Sequence, residues 1–315
     1  MNTNLPATED RLVGALVGTA LGDALGAPFE GRRRVPAREV AALVRSRSPL
    51  TWTDDTHMAV ALAESLLARA GTVDPQHLGD AFAAAYRDQP WRGYAGGPVK
   101  VFELAKQGHS YQDAARTLYG GGSYGNGGAM RCAPVAIVAH PDIHHAAHLA
   151  AAQARVTHAH PVGVDGAVLL ACAVVAAASV APPAVDRTAT APRLDLAPIA
   201  EYLTAAEMRQ RLDAITDAQD APEQLMELAR RFGSRVSARE SVPTALAVFL
   251  AHRNDPLEPM TAAISLGRDT DTVAAMAGAL AGVHHGAGQL PGRLLARLED
   301  HDRIANLARR LAALP

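Results

Sequence analysis

The sequence is short of lysine, cysteine, aromatic residues and net charge, and each shortage closes off a class of function. Of 30 basic residues only Lys100 and Lys106 are lysines, and 32 acidic residues bring the formal charge to −2. A balance that close to zero supplies no general field for drawing in nucleic acid or an anionic membrane. Two cysteines, Cys132 and Cys172, cannot build a disulfide framework. Neither belongs to a CxxC pair and both lie in apolar runs, so they read as buried, inert side chains. Aromatic residues make up 4% of the chain. Apolar positions recur at helical rather than alternating spacing, which leaves little material for strands. The polar start, Met1 to Asp10, lacks the charged-then-apolar pattern of a signal peptide. The longest apolar stretch, Gly166 to Pro182, is short for a membrane span and ends in Pro-Pro, so it reads as a core helix. These absences lead to the expectation of a soluble, cytoplasmic monomer.

What is present is helix. Val273, Met276, Ala277 and Leu280 fall at i, i+3, i+4 and i+7, and Met58, Leu62 and Leu66 make another such stripe. Leu12 to Leu21 reads the same way, with Gly14, Gly18 and Gly22 spaced by four. Glycine costs about 1 kcal/mol at each helix position, so three on one face call for another backbone packed closely there. Thr272 to His284, with Gly278 and Gly282, has the same character. The expected fold is all-α, a compact helical bundle forming one domain over residues 1–315. Val180 to Pro198, rich in alanine and proline, is expected to be an exposed connection inside that domain.

Two acidic turns stand at the starts of these helices. Thr53-Asp54-Asp55-Thr56 precedes the Met58 stripe, and Asp269-Thr270-Asp271-Thr272 precedes the Val273 stripe. Either could be an ordinary cap, since Asp and Thr accept from the first backbone N–H groups and suit the helix dipole. Yet a cap needs one acceptor, and each turn holds two carboxylates and two hydroxyls. If the turns converge, their repulsion must be relieved by protonation or by cations. Oxygen ligands without neighbouring cysteine suit Mg²⁺, Mn²⁺ or Ca²⁺. Mg²⁺ keeps several waters, so this supply fits two ions better than one.

Residues 120–128, GGGSYGNGG, contain a formal GxGxxG, but the segment before them reads as helix, which excludes a dinucleotide fold. Such a turn can be a flexible loop or can present backbone N–H groups to a diphosphate. His144 and His148, at i and i+4, have no third ligand and read as a solvated face. Thr157-His158-Ala159-His160-Pro161 opens the long apolar helix, where capping or packing is the plainer role.

Taken in order, these segments resemble the ADP-ribosylglycohydrolase family, which includes dinitrogenase-reductase-activating glycohydrolase. The likeness runs from about Arg11 to Gly286, through Gly22-Asp23-Ala24-Leu25-Gly26 with Glu30, the Thr53 turn, Ser123 to Arg131, Thr157-His158 and the Asp269 turn. Residues 92–97, 123–131, 240–245 and 276–279 are most similar to the branch that hydrolyses serine-linked and poly-ADP-ribose. The resemblance implies a dinuclear magnesium cleft, manganese being the substitute, with Thr53, Asp54, Asp55, Asp269, Asp271 and Thr272 as ligands. It implies Glu30 as a mobile acidic residue beside the metals, Glu30 or Asp269 as the catalytic acid or base, and substrate contacts from Gly122, Ser123, Tyr124, Gly125, Asn126 and His158. Leu118 and Val236 stand where the branch places residues near the adenine, and Tyr119 could supply a displaced ring. Arg268 replaces a usual glycine and is expected to face solvent. His284-His285 replaces a usual Tyr-Tyr and is expected to be a surface change.

The implied reaction is hydrolysis at the anomeric carbon of the distal ribose. Its substrates would be an ADP-ribosylated protein, serine-linked first, poly-ADP-ribose or a small compound such as O-acetyl-ADP-ribose. Arginine-linked ADP-ribose and ADP-ribosylated nucleic acid are the alternatives. A non-catalytic ADP-ribose-binding module and a hydrolase for a small non-nucleotide substrate are the competitors from other classes.

Overall fold

The computed structural model describes residues 7–180 and 192–315. Among them there is no strand, only isolated bridges pairing Leu50 with Leu298 and Gly125 with Ser237. Five helices position the site: α1 (Ala7–Gly26), α2 (Asp54–Ala68), α3 (Pro161–Ser179), α4 (Ala238–Ala251) and α5 (Thr270–His285). Shorter helices wrap them, so α1, α3 and α5 are buried almost throughout. Two segments, Ala7–Phe29 and Pro161–Ser179, are long and apolar enough to cross a membrane, yet 89% and 94% of their most apolar windows lie inside the fold. Cys132 and Cys172 are buried within the same core.

The glycine stripe explains how α1 and α5 meet. A Cβ on Gly14 would fall 2.7 Å from the Gly282 carbonyl carbon, one on Gly18 2.9 Å from that of Gly278, and one on Gly22 2.5 Å from that of Ala274. The pairs run in opposite directions along the two chains, so the helices are antiparallel with backbones in contact. Gly26 continues the row against Thr270 and Asp271. The last turn of α1 therefore lies against the first turn of α5, and that end of the pair is where the acidic residues gather.

Local chemistry sets the other helix starts. His160 is the N-cap of α3, its Nδ1 accepting from Val162 N at 3.2 Å, with Pro161 at the first position. Pro243 inside α4 has no N–H for the Arg239 carbonyl four residues back, and the Arg211 guanidinium donates to that oxygen instead, at 2.6 Å.

Most of the expected connection at Val180–Pro198 lies outside the described residues. In its last part Pro192, Arg193, Asp195 and Ala197 are exposed as expected, whereas Leu194 and Leu196 are buried, and the Leu194 backbone makes two hydrogen bonds to the Gln219 amide. Apolar leucines draw this end back onto the core.

Candidate active site

Asp23, on the last turn of α1, is fully buried and holds the first acidic turn in place. It accepts from Thr53 N and Oγ1 at 3.0 and 2.9 Å and from Thr56 N and Oγ1 at 3.0 and 2.6 Å. These four bonds tie the start of α2 to α1, beside the start of α5. The two acidic turns then touch: Thr272 Oγ1 donates to Asp55 Oδ2 at 3.4 Å. Glu30, just past α1, completes a group with Asp269 and Asp271 whose ligand atoms lie within 4.8 Å of one another.

Capping accounts for part of this and not the rest. Thr53 is a cap, accepting from Asp55 N at 3.4 Å. Asp269 stands at the N-cap of α5 but its side chain caps no backbone N–H. Instead it accepts from Asn126 Nδ2 at 2.6 Å, and Asn126 Nδ2 also reaches Ser241 Oγ on α4 at 3.1 Å.

Glu30, Asp54, Asp55, Asp269, Asp271 and Thr272 all line one cleft of about 520 Å³, together with Ser123, Tyr124, Gly125, Asn126 and His158. Thr53 and Gly122 stand behind its wall: Thr53 Oγ1 is turned to Asp23, and a Cβ on Gly122 would meet the His160 backbone at 2.5 Å. Among the described residues no lysine or arginine lines the cleft. Five carboxylates thus share a pocket without a cation from the described residues. Asp55 Oδ1 and Asp271 Oδ1 are sealed from solvent and make no hydrogen bond among the described residues. Buried acceptors of that kind are costly unless something occupies them. Oxygen donors with two orphaned carboxylate atoms fit a hard divalent cation.

Burial, reinforced by the neighbouring carboxylates, raises the proton affinity of every aspartate here. Asp54 is pushed up to about 7, Asp271 to about 9 and Asp55 well above the usual range. Asp269 rises less, to about 6, because its bond from Asn126 favours the ionised form. A carboxylate whose folded pKa lies above its unfolded value stabilises the fold only while protonated, so that stability is lost as pH rises through the folded pKa. With chelator present, the melting temperature is therefore expected to fall as pH goes from about 4 to about 9. Added Mg²⁺ should flatten that fall by taking the place of the protons. A melting temperature that climbs with pH in chelator would contradict this charge arrangement.

The glycine-rich turn is not free-standing. Asn126 N donates to Val236 O at 2.9 Å and Ala238 N to Tyr124 O at 3.0 Å, pinning it to the start of α4. A Cβ on Gly163 would meet Ser123 O at 2.6 Å, so α3 packs against its other side. Tyr119, Tyr124 and Val236 stand exposed at the cleft rim. Leu118 is buried behind them and does not line the cleft.

The histidine motif divides. His160 caps α3, as expected of the whole motif, whereas His158 lines the cleft. Its Nδ1 lies 2.8 Å from Thr157 Oγ1, and burial beside Arg131 pushes its pKa down to about 3, leaving it neutral. His144 and His148 are exposed, as expected. Arg268 is half-buried and does not line the cleft. The expectation of a surface change at His284 is wrong: it is fully buried, its ring packed edge-on 5.5 Å from Phe249. The end of α5 is covered by the α4 face, so the pair of histidines is only half a surface feature.

Sequence reasoning gave Asp23 and Arg131 no role. Both lie inside apolar runs, and each acquires partners only when distant helices meet. The signal that could have found Asp23 is a lone acid on a glycine-striped helix, where no solvent reaches it.

A sequence model of the ADP-ribosylglycohydrolase family matches residues 4–315. The chain is similar to ADP-ribosylhydrolase ARH3 of Bos taurus, 34% identical over 96% of this chain and 92% of that one. It is equally similar to ADP-ribosylhydrolase ARH3 of Homo sapiens, with the same identity and coverage. The uncharacterized protein YegU of Escherichia coli is 30% identical over 92% of each chain. Among solved structures, an ADP-ribosylglycohydrolase-related protein complex superposes with a TM-score of 0.75 at 31% identity, covering 98% of this chain and 99% of that one.

Proposed function

The chain belongs to the ADP-ribosylglycohydrolase family, and from that premise we propose that this ADP-ribosyl hydrolase is divalent-metal-dependent and acts at the distal ribose of serine-linked ADP-ribose. Poly-ADP-ribose and O-acetyl-ADP-ribose are its further substrates under this reading, and its setting is that of a cytoplasmic monomer. One observation carries the metal dependence: among the described residues five carboxylates line a cleft with no lysine or arginine, two of their oxygens buried without a partner.

Asp54, Asp55, Asp269 and Asp271, with the hydroxyl of Thr272, would hold two magnesium ions, manganese being the substitute; Thr53 would join them only by turning its hydroxyl from Asp23 towards the cleft. Bound there, such ions neutralise the carboxylates and acidify the oxygens they bind. The remaining work falls to the chain. The Ser123–Asn126 turn, with Gly122 behind it, offers the backbone N–H groups of Ser123 and Tyr124 to the diphosphate, those of Gly122, Gly125 and Asn126 being bound within the protein, and Tyr124 and Tyr119 offer rings at the rim. Asn126 fixes Asp269 through its amide, which commits one oxygen of that carboxylate. Glu30 is exposed in the cleft and carries no such bond, so it is the better placed of the two to move a proton to the leaving oxygen or from the attacking water.

Glu30→Gln should therefore lower kcat by about 10²–10⁴-fold, the usual worth of a positioned acid or base, without lowering the melting temperature. Wild-type turnover on every linkage tested would remove Glu30 from this role. The linkage itself is tested with defined substrates carrying serine, arginine, O-acetyl and polymeric ADP-ribose. Fastest release from serine supports the reading, and fastest release from arginine overturns it.

A further inference from the structure

The contact between Thr157 Oγ1 and His158 Nδ1, at 2.8 Å, can be made with either atom as donor. Its surroundings decide which. Thr157 Oγ1 already accepts from Arg131 Nη2 at 2.9 Å. Arg131 is wholly buried and held from several sides: Nε donates to Gln153 Oε1 at 2.8 Å, Nη2 to Gln153 O at 3.1 Å, and the guanidinium lies 4.3 Å from the centre of the Phe82 ring. A guanidinium has donors and no acceptor. Burial lowers its pKa to about 9, which still leaves it charged at neutral pH.

Thr157 is itself sealed from solvent, and its hydroxyl makes no hydrogen bond to any other acceptor among the described residues. Leaving a buried hydroxyl without an acceptor costs about 1–3 kcal/mol. The O–H therefore points at His158 Nδ1. A neutral imidazole carries one proton, so that proton sits on Nε2. Nε2 has no protein partner among the described residues, and the ring edge that bears it borders two glycines of the turn. A Cβ on Gly125 would lie 3.4 Å from Nε2, and one on Gly127 3.0 Å from it. Both glycines line the cleft.

We propose that Arg131 and Thr157 are positioning residues for substrate recognition, holding His158 as the Nε2–H tautomer so that it donates to an anionic diphosphate oxygen in the cleft. The chain of donors starts at a fixed charge and ends in a neutral N–H. The other tautomer would aim a lone pair at the same oxygen and repel it. The proposal rests on reading the cleft as an ADP-ribose site.

NMR of the ring nitrogens in nitrogen-labelled, ligand-free protein reads the tautomer directly. The expected result is protonated Nε2 and unprotonated Nδ1 on His158, and the reverse assignment overturns the proposal. Thr157→Val removes the relay and should weaken binding of ADP-ribose by about tenfold, the worth of one hydrogen bond to a charged group, while shifting the tautomer. Thr157→Ser keeps the hydroxyl and should restore both. Equal affinity in the wild-type, Val and Ser proteins would also overturn it. If the Val variant fails to fold, the wild-type tautomer and the Ser variant still decide. A protein that shows the tautomer and binds ADP-ribose, yet releases none from modified substrates, contradicts the proposed hydrolysis and leaves this inference standing.

Discussion

Asp271→Ala is expected to abolish release of ADP-ribose while making the metal-free protein more stable. Asp271 faces the same cleft as Asp55, Asp269 and Glu30, and one of its oxygens is buried without a partner. Its proton affinity is raised to about 9, by burial first and then by Asp269, Asp23 and Glu30. Removing it relieves repulsion in the empty site, so the melting temperature in chelator should rise. In the proposed metal centre the same change removes a ligand. Losing an outer-shell partner of a metal typically costs about 10–100-fold, so a lost ligand should cost more than about 100-fold in turnover. The stabilisation by Mg²⁺ expected of the wild type should shrink in parallel. Calorimetry with Mg²⁺ and thermal melts check both arms. Asp54→Ala should behave alike, and wild-type turnover in either variant would sink the metal reading.

Gly22→Ala should lower stability sharply, against the propensity of the two residues. In an open helix the change would stabilise by about 1 kcal/mol. Here the new Cβ would lie 2.5 Å from the Ala274 carbonyl carbon and closer still to its oxygen. Backbone atoms cannot swing aside as side chains do, so α1 and α5 must separate along their length. Overpacking costs typically about 1–3 kcal/mol, and this case should reach about 3 kcal/mol or more, outweighing the propensity gain. Because the start of α5 carries Asp271, Mg²⁺ binding should weaken as well. Gly292→Ala, at the start of a short helix where nothing lies within 4 Å of the added carbon, should leave the melting temperature unchanged or raise it slightly. A Gly22→Ala protein as stable as the wild type would mean that the helices do not touch as described.

The part of this site legible in the sequence was the part with local redundancy. Two carboxylates and two hydroxyls within four residues exceed what a cap uses, so Thr53–Thr56 and Asp269–Thr272 pointed beyond capping before any fold was known. The glycines at 14, 18 and 22 likewise exceed what a helix tolerates without a reason. The illegible part depends on contacts between distant segments. Asp23 is one acid in an apolar helix until Thr53 and Thr56 arrive 30 and 33 residues later. Asn126 read as a substrate contact and lines the cleft, but its amide also braces Asp269 from 143 residues away. His284 looked like a polar helix end because its cover, Phe249 on α4, is remote in sequence.

The measurement that bears most directly on the whole account is release of ADP-ribose from a serine-ADP-ribosylated protein by chelator-treated enzyme, before and after Mg²⁺ is restored. The account predicts no release with chelator and full recovery as Mg²⁺ is added back. Undiminished release in the presence of chelator would contradict it.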